Sequence, residues 1–266
     1  MDKKFGFIGV GNMGGALATA VAKSDNTEIF ASDFDTIKLK DIASKIGATA
    51  TDNKTIADDC NFIVLGVKPQ VIDKLLVEIS PLLKSRKDRF IIVSMAAGIS
   101  TEHISEVLEN KYPIIRMMPN TPVFVEEGMI LAATANGVTD DEFKAFCEAL
   151  KNAGKVDRID EKLIDAAGSL SGCGPAFVYM FAEGLADGAV ECGVPRDKAM
   201  EYAYQTILGA AKMLIETKEH PAALKDKVCS PGGTTIAGVH TLEDGAFRSL
   251  CMDAVKSAYK RTLELK

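Results

Sequence analysis

The sequence predicts an α/β fold in its N-terminal part, a doubly wound sheet with crossover helices, joined to a C-terminal all-α domain. Three observations predict it. Short β-branched runs alternate with helical patterns through the first 160 residues; a glycine-rich turn separates the first such run from the first helical pattern; and beyond about Asp160 the strand signal stops while apolar residues recur at helical spacing. At 266 residues, 47% of them hydrophobic, the chain is long for one compact domain and rich enough in apolar side chains for a core in each of two. The expected division is 1–160 and 161–266.

Strands are expected near 4–9, 28–32, 61–66, 90–94, 114–117 and 129–133, with a short one at 155–159. The best-marked helices between them fall at 13–23, 36–45, 69–79, 100–108 and 140–149, the third carrying Pro69 at its first position, where a missing N–H costs nothing. In the second half, helices are expected at 163–170, 176–192, 196–217 and 245–265. Pro175, Pro195 and Pro221 each stand where a helix begins, with breaks at 172–174, at Gly193 and at 219–220. The helix after Pro175 opens Ala176-Phe177-Val178-Tyr179-Met180-Phe181 and carries little charge. It must be buried on most sides, in its own domain core or against a second subunit.

Composition narrows the partners. A net charge of −6, with no block of Lys and Arg, argues against nucleic acid and for a small molecule. No charged-then-apolar leader and no apolar run approaching a membrane span is read, so the expectation is a cytoplasmic protein without a membrane partner. Cys60, Cys147, Cys173, Cys192, Cys229 and Cys251 form no Cys-x-x-Cys pair, and His103, His220 and His240 are scattered. No metal site is expected, nor a Ser-His-Asp hydrolase.

Two glycine turns, more than two hundred residues apart, carry the chemistry. Gly9-Val10-Gly11-Asn12-Met13-Gly14 follows the apolar run Phe5-Gly6-Phe7-Ile8 and leads into a helix, the context in which Gly-x-Gly-x-x-Gly cradles a pyrophosphate in a Rossmann domain. Gly9 makes the turn, Gly11 lets the pyrophosphate close in, and Gly14 lets the helix pack on the strand. Asp33 lies nineteen residues past Gly14, where an acidic group bonds the adenosine ribose and favours NADH. Ser32 and the Asn53-Lys54 pair offer a donor and a cation for a 2′-phosphate, so the sequence leaves NADPH against NADH open. Val67-Lys68-Pro69, Ala96-Ala97-Gly98 and the Pro119-Asn120-Thr121-Pro122 turn follow later strands on the same edge, Asn120 being placed for an amide such as that of nicotinamide. Lys68 also reads as an ordinary solvated cation. The second turn, Ser230-Pro231-Gly232-Gly233-Thr234-Thr235, stands before a helix expected to start near Thr234 or Thr235, and is a second anion site.

These motifs, with Arg116-Met117-Met118 before the proline turn, Leu170-Ser171-Gly172-Cys173-Gly174-Pro175-Ala176 and the run Lys225-Asp226-Lys227-Val228-Cys229 ahead of Ser230, resemble the pyrroline-5-carboxylate reductases, enzymes of the last step of proline biosynthesis. The resemblance runs from end to end. It implies a nicotinamide-dependent reductase that uses NADPH, with NADH as an alternative, and whose helical domain interlocks with a second subunit. Dimers of this family often assemble into rings. It further implies cofactor contacts from Ile8, Gly9, Gly11, Asn12, Met13, Gly14, Ser32, Asp33, Asn53, Val67, Lys68, Pro69, Ala96, Ala97 and Asn120. Val228, Ser230, Pro231, Gly232, Gly233, Thr234 and Thr235 are implied as the substrate site, with Thr235 beside the ring nitrogen of 1-pyrroline-5-carboxylate and the product L-proline. The absence of a strong general acid is consistent with imine reduction, since hydride transfer to an iminium removes charge.

Three other readings compete. A β-hydroxyacid dehydrogenase expects a lysine one turn after the glycines, where Val178 stands, and no Lys occurs from Asp165 to Gly193. A reductase linked to coenzyme F420 shares the first half and leaves the Ser-Pro-Gly-Gly-Thr-Thr turn unexplained. A non-catalytic dinucleotide sensor has no use for a second anion site.

Overall fold

The structure is a computed structural model that describes residues 3–264. It divides into two compact units, one reaching to Gly172 and including 259–264, the other Cys173–Ala258. The last residue of the helix expected at 245–265 and the first two and last two residues of the expected domains lie outside the described residues.

The first unit is an eight-stranded sheet in the order β3-β2-β1-β4-β5-β6-β7-β8. Its strands are β1 (Lys3–Ile8), β2 (Thr27–Ser32), β3 (Thr49–Ala50), β4 (Phe62–Leu65), β5 (Ile91–Ser94), β6 (Ile114–Met118), β7 (Gly128–Ala135) and β8 (Gly154–Arg158). The helices are α1 (Asn12–Ala22), α2 (Thr36–Ile46), α3 (Asn53–Asp59), α4 (Pro69–Ser85), α5 (Thr101–Val107), α6 (Asp140–Ala149) and α7 (Glu161–Ser171). Strands β1 to β6 are mutually parallel. Alternation along the strands fills two cores. Phe5, Phe7, Val64, Val93 and Met117 meet Leu17, Val21 and Phe146 on one face, whereas Ile8, Ile63, Leu65 and Ile92 meet Ile72, Leu76 and Ile79 on the other. The doubly wound sheet expected from sequence is thus present.

Three elements depart from the expectation. Strand β7 runs antiparallel to β6, which an all-parallel reading did not foresee. The segment between them holds only a short 3-10 helix (Thr121–Val125), too little chain for a crossover. Helix α4 continues to Ser85 through Pro81. The carbonyl that Pro81 cannot bond belongs to Val77, an exposed residue on the solvent side of the helix, while Ile79 and Leu83 keep the buried stripe going. Helix α3 was also unforeseen; Asp52 caps it by accepting the Thr55 N–H, which holds the Asp52 carboxyl below its ordinary range.

Cys60 lies in the second core. Burial, with the Asp59 carboxylate adding to it, pushes the thiol up to about 12. At mildly alkaline pH native protein is therefore expected to resist iodoacetamide at Cys60 and to react there only in urea. Mass mapping showing Cys60 alkylated before the exposed Cys192 or Cys251 would contradict this.

The second unit is helical: α8 (Gly174–Glu191), α9 (Arg196–Thr217), α10 (Pro221–Val228), α11 (Thr234–Asp244) and most of α12 (Phe247–Glu264). Its own core is small. Ala186, Ala199 and Ala203 pack with Ala189, Val190 and Val194, while α10, α11 and α12 bury no residue. Val178, Tyr179, Met180, Tyr204 and Leu208 stay exposed along a groove of about 1060 Å³ between α8 and α9. Of the two burials foreseen for the apolar helix, the one inside its own domain is not what the chain provides. No helix among the described residues is long and apolar enough to cross a membrane.

Candidate active site

The chain order reverses direction at β1, which sits between β2 and β4, and this opens a crevice at the carboxyl ends of those strands. Ile8 ends β1 and Gly9 turns the chain with φ +94, a value that favours glycine. Its N–H donates to the Ser32 carbonyl (2.8 Å), and the Gly66 N–H donates to the Ile8 carbonyl (2.8 Å), so the ends of three strands are laced together. A Cβ on Gly14 would lie 2.2 Å from the Gly9 carbonyl oxygen and one on Gly66 2.3 Å from it. Those two are glycines for packing. Gly11 differs: a Cβ there meets nothing within 4 Å. Helix α1 begins after it with no side-chain cap and no acid in its first turn, leaving the first-turn N–H groups from Asn12, Met13 and Gly14 aimed at open space. These residues fit a dinucleotide pyrophosphate.

At the adenosine end the carboxylate of Asp33 turns inward. One oxygen accepts the Val10 N–H (2.8 Å) and the other the Asp35 N–H (3.0 Å). Asp33 thus braces the glycine turn. Ser32 is buried and donates to Asn53 Oδ1 (2.7 Å), and Asn53 donates in turn to Glu78 (3.0 Å). Val67, Lys68 and Pro69 lead from β4 into α4, with Lys68 exposed at the cap, and Ala96 and Ala97 follow β5 on the same edge.

Asn120 is committed to backbone on both sides: its Oδ1 accepts the Met129 N–H (2.8 Å) and its Nδ2 donates to the Ser171 carbonyl (2.9 Å). The residue four beyond Ser171 is Pro175, which has no N–H for that carbonyl, and Asn120 supplies the missing donor. These two bonds fix the orientation of the amide and use one of its two N–H donors and one of the two lone pairs on Oδ1. Beneath it lies a network that sequence reasoning missed. Arg116 on β6 is buried and donates to Asp165 (2.6 Å) and Glu161 (3.4 Å) of α7, and Glu161 also accepts the N–H (2.8 Å) and hydroxyl (2.5 Å) of Thr101. A lone arginine in an apolar strand was the available signal.

In the second unit α11 starts at Thr234, as the turn chemistry predicts. Gly232 has φ +68, the Gly233 N–H donates to the Ser230 carbonyl (3.0 Å), and α11 has neither a side-chain cap nor an acid in its first turn. The amides of Thr234 and Thr235 are therefore free by helix geometry. Thr235 is half-buried; Ser230, Pro231, Thr234 and Val228 are exposed. Gly232 and Gly233 border an open cleft of about 500 Å³ with Ile236, His240 and Glu243.

Residues 161–265 match the family described as pyrroline-5-carboxylate reductase dimerisation, and residues 4–98 match the family described as NADP oxidoreductase coenzyme F420-dependent. A pyrroline-5-carboxylate reductase of Arabidopsis thaliana is 39% identical over 266 residues, covering 98% of this chain and 95% of that protein. The chain belongs to the pyrroline-5-carboxylate reductase family. Solved reductases of that name share its fold throughout. The structure from Coxiella burnetii is 31% identical with a TM-score of 0.93, covering 100% of this chain and 99% of that one. The structure from Plasmodium falciparum, which has NADP bound, is 30% identical with a TM-score of 0.85, covering 98% and 97%.

Proposed function

We propose that the chain is an NAD(P)H-dependent pyrroline-5-carboxylate reductase, converting the cyclic imine 1-pyrroline-5-carboxylate to L-proline. The observation that carries this is the presence in one chain of two anion-accepting helix starts, α1 behind Gly11 and α11 behind Gly233, neither capped by its own side chains. A hydroxyacid dehydrogenase would need the lysine that Val178 replaces, and a sensor would need only the first start. NADPH, or NADH in its place, supplies a hydride to the C=N carbon when bound. The first-turn amides of α1 hold its pyrophosphate, with Gly9, Gly11 and Gly14 shaping the approach. At the other start, the amides of Thr234 and Thr235 take the substrate carboxylate, and the Thr235 hydroxyl orients the ring N–H. A protonated imine loses charge as it is reduced, so no stronger acid is needed.

The exposed face of α8 and α9, in a region matched to a dimerisation family, supports self-association, and we assign closure of the substrate site to a second copy. Assembly of those dimers into a ring is an expectation that light scattering would decide. We take 161 as the start of the inherited helical module, because the family match begins there, although α7 packs on β6 and β7 within the first unit. Six unpaired cysteines support a reducing compartment, the cytoplasm.

Purified protein is expected to oxidise NADPH or NADH only when the imine is added; silence with both cofactors would sink the reading. Thr235→Ala is expected to lower kcat/KM for the imine by about 10-fold, the cost of one hydrogen bond, with cofactor affinity unchanged. An equal loss of cofactor affinity would mean that Thr235 acts elsewhere.

A further inference from the structure

The loop after β2 is Ser32-Asp33-Phe34-Asp35. Of its four side chains, three turn back into the protein. Ser32 donates to Asn53, Asp33 accepts from Val10 and Asp35 amides, and Asp35 accepts the N–H groups of Ile37 and Lys38 (both 3.1 Å) as the cap of α2. Phe34 is what remains, and it is 99% exposed. Isolated surface aromatics are common and carry no message by themselves. This one differs in its support: the residues on both sides are pinned by hydrogen bonds, so the ring is presented from a fixed loop. It also stands at the carboxyl end of the strand beside the glycine turn, where the adenosine half of a dinucleotide lies in such a sheet. Asp33, the residue that sequence logic placed on the ribose, is held by one backbone amide on each oxygen, with one lone pair on each left to face the ribose.

We propose that Phe34 is the platform against which the adenine ring stacks, a recognition role carried by an apolar ring where charge was expected. The assignment rests on the dinucleotide reading of the first turn. Stacking on an aromatic face tolerates any base and loses on the order of tenfold or more in affinity when the ring is removed. Lys38, one turn into α2, is no rival for that position, because its Nζ reaches toward Asn12 at the glycine turn (3.5 Å).

The test is calorimetric titration of the full chain with NADPH and NADH, with ADP-ribose and with reduced nicotinamide mononucleotide, which lacks the adenosine half. Phe34→Ala is expected to weaken NADPH, NADH and ADP-ribose about tenfold and to leave the mononucleotide as in the wild type, whereas Phe34→Tyr keeps them all. Because Phe34 touches nothing inside the fold, thermal unfolding of both variants is expected to match the wild type. Phe34→Ala binding NADPH or NADH within twofold of a wild type that does bind it would overturn the platform and leave the dinucleotide site standing. Equal weakening of the mononucleotide would overturn it as well, by showing a general disturbance. A wild type that binds none of NADPH, NADH and ADP-ribose would remove the dinucleotide reading itself, and this inference with it.

Discussion

Gly11→Val is expected to give a protein that folds normally and has lost its dinucleotide. Gly11 has φ −58, a value open to any L-residue, and a side chain there meets no atom of the chain within 4 Å. The change should therefore cost about 1 kcal/mol, the difference between glycine and a β-branched residue at the N-cap of α1, and leave the protein folded. That open space is where the pyrophosphate must approach the first-turn amides of α1, and two methyl groups would hold it off. Affinity for NADPH and NADH should fall on the order of 100-fold or more, a loss of nearly 3 kcal/mol. Calorimetric titration alongside thermal unfolding separates the two effects. Retained affinity in a folded variant would count against the whole N-terminal assignment. The neighbouring glycines make poor tests by comparison, because a Cβ on Gly14 would strike the Gly9 carbonyl and disturb the fold first.

The second large effect lies in stability. Arg116→Met should destabilise the first unit by about 3–5 kcal/mol, because Arg116 and Asp165 are both buried and the substitution breaks their 2.6 Å ion pair in a place where water cannot replace it. Losing the arginine also frees one partner of Glu161, which still holds the start of α5 through Thr101. Urea unfolding followed by circular dichroism measures the loss. The double variant Arg116→Met/Asp165→Leu should recover most of it, since an apolar pair of similar volume escapes the desolvation that the ion pair has to offset. If the single variant cost less than about 1 kcal/mol, or if the double variant were worse than the single, the network would not be what ties α7 to β6.

Much of the fold could be read from the chain because its signals are local. Most of the parallel strands carry their own apolar or β-branched run, the two-residue β3 excepted, and Pro69, Pro175, Pro195 and Pro221 mark helix starts without reference to anything distant. The reversal of β7 was not legible in the same way: it follows from a connection too short to cross the sheet, and the strand's composition does not encode direction. Helix α3 is only seven residues, about two turns of mixed composition, below the length at which apolar spacing declares itself. Site residues divide along the same line. The two glycine turns and the free helix starts behind them were legible, since glycine at those places has a backbone reason. Asp33 and Asn120 were legible as polar groups on the right edge, but what each one bonds depends on Val10, Met129 and Ser171, and such partnerships are made by tertiary folding. Phe34 gave no signal, since a phenylalanine beside a strand is more often core than ligand surface.

The sparse interior of the second unit has a thermodynamic consequence. Helices whose apolar faces find cover only on another copy cannot have a stability that belongs to one chain; part of it is a binding free energy and scales with the logarithm of protein concentration. On the assembly proposed above, dilution would act on the turn at the start of α11 as a denaturant does. On that proposal, the number of molecules per cell would become a determinant of whether each one has a finished active site.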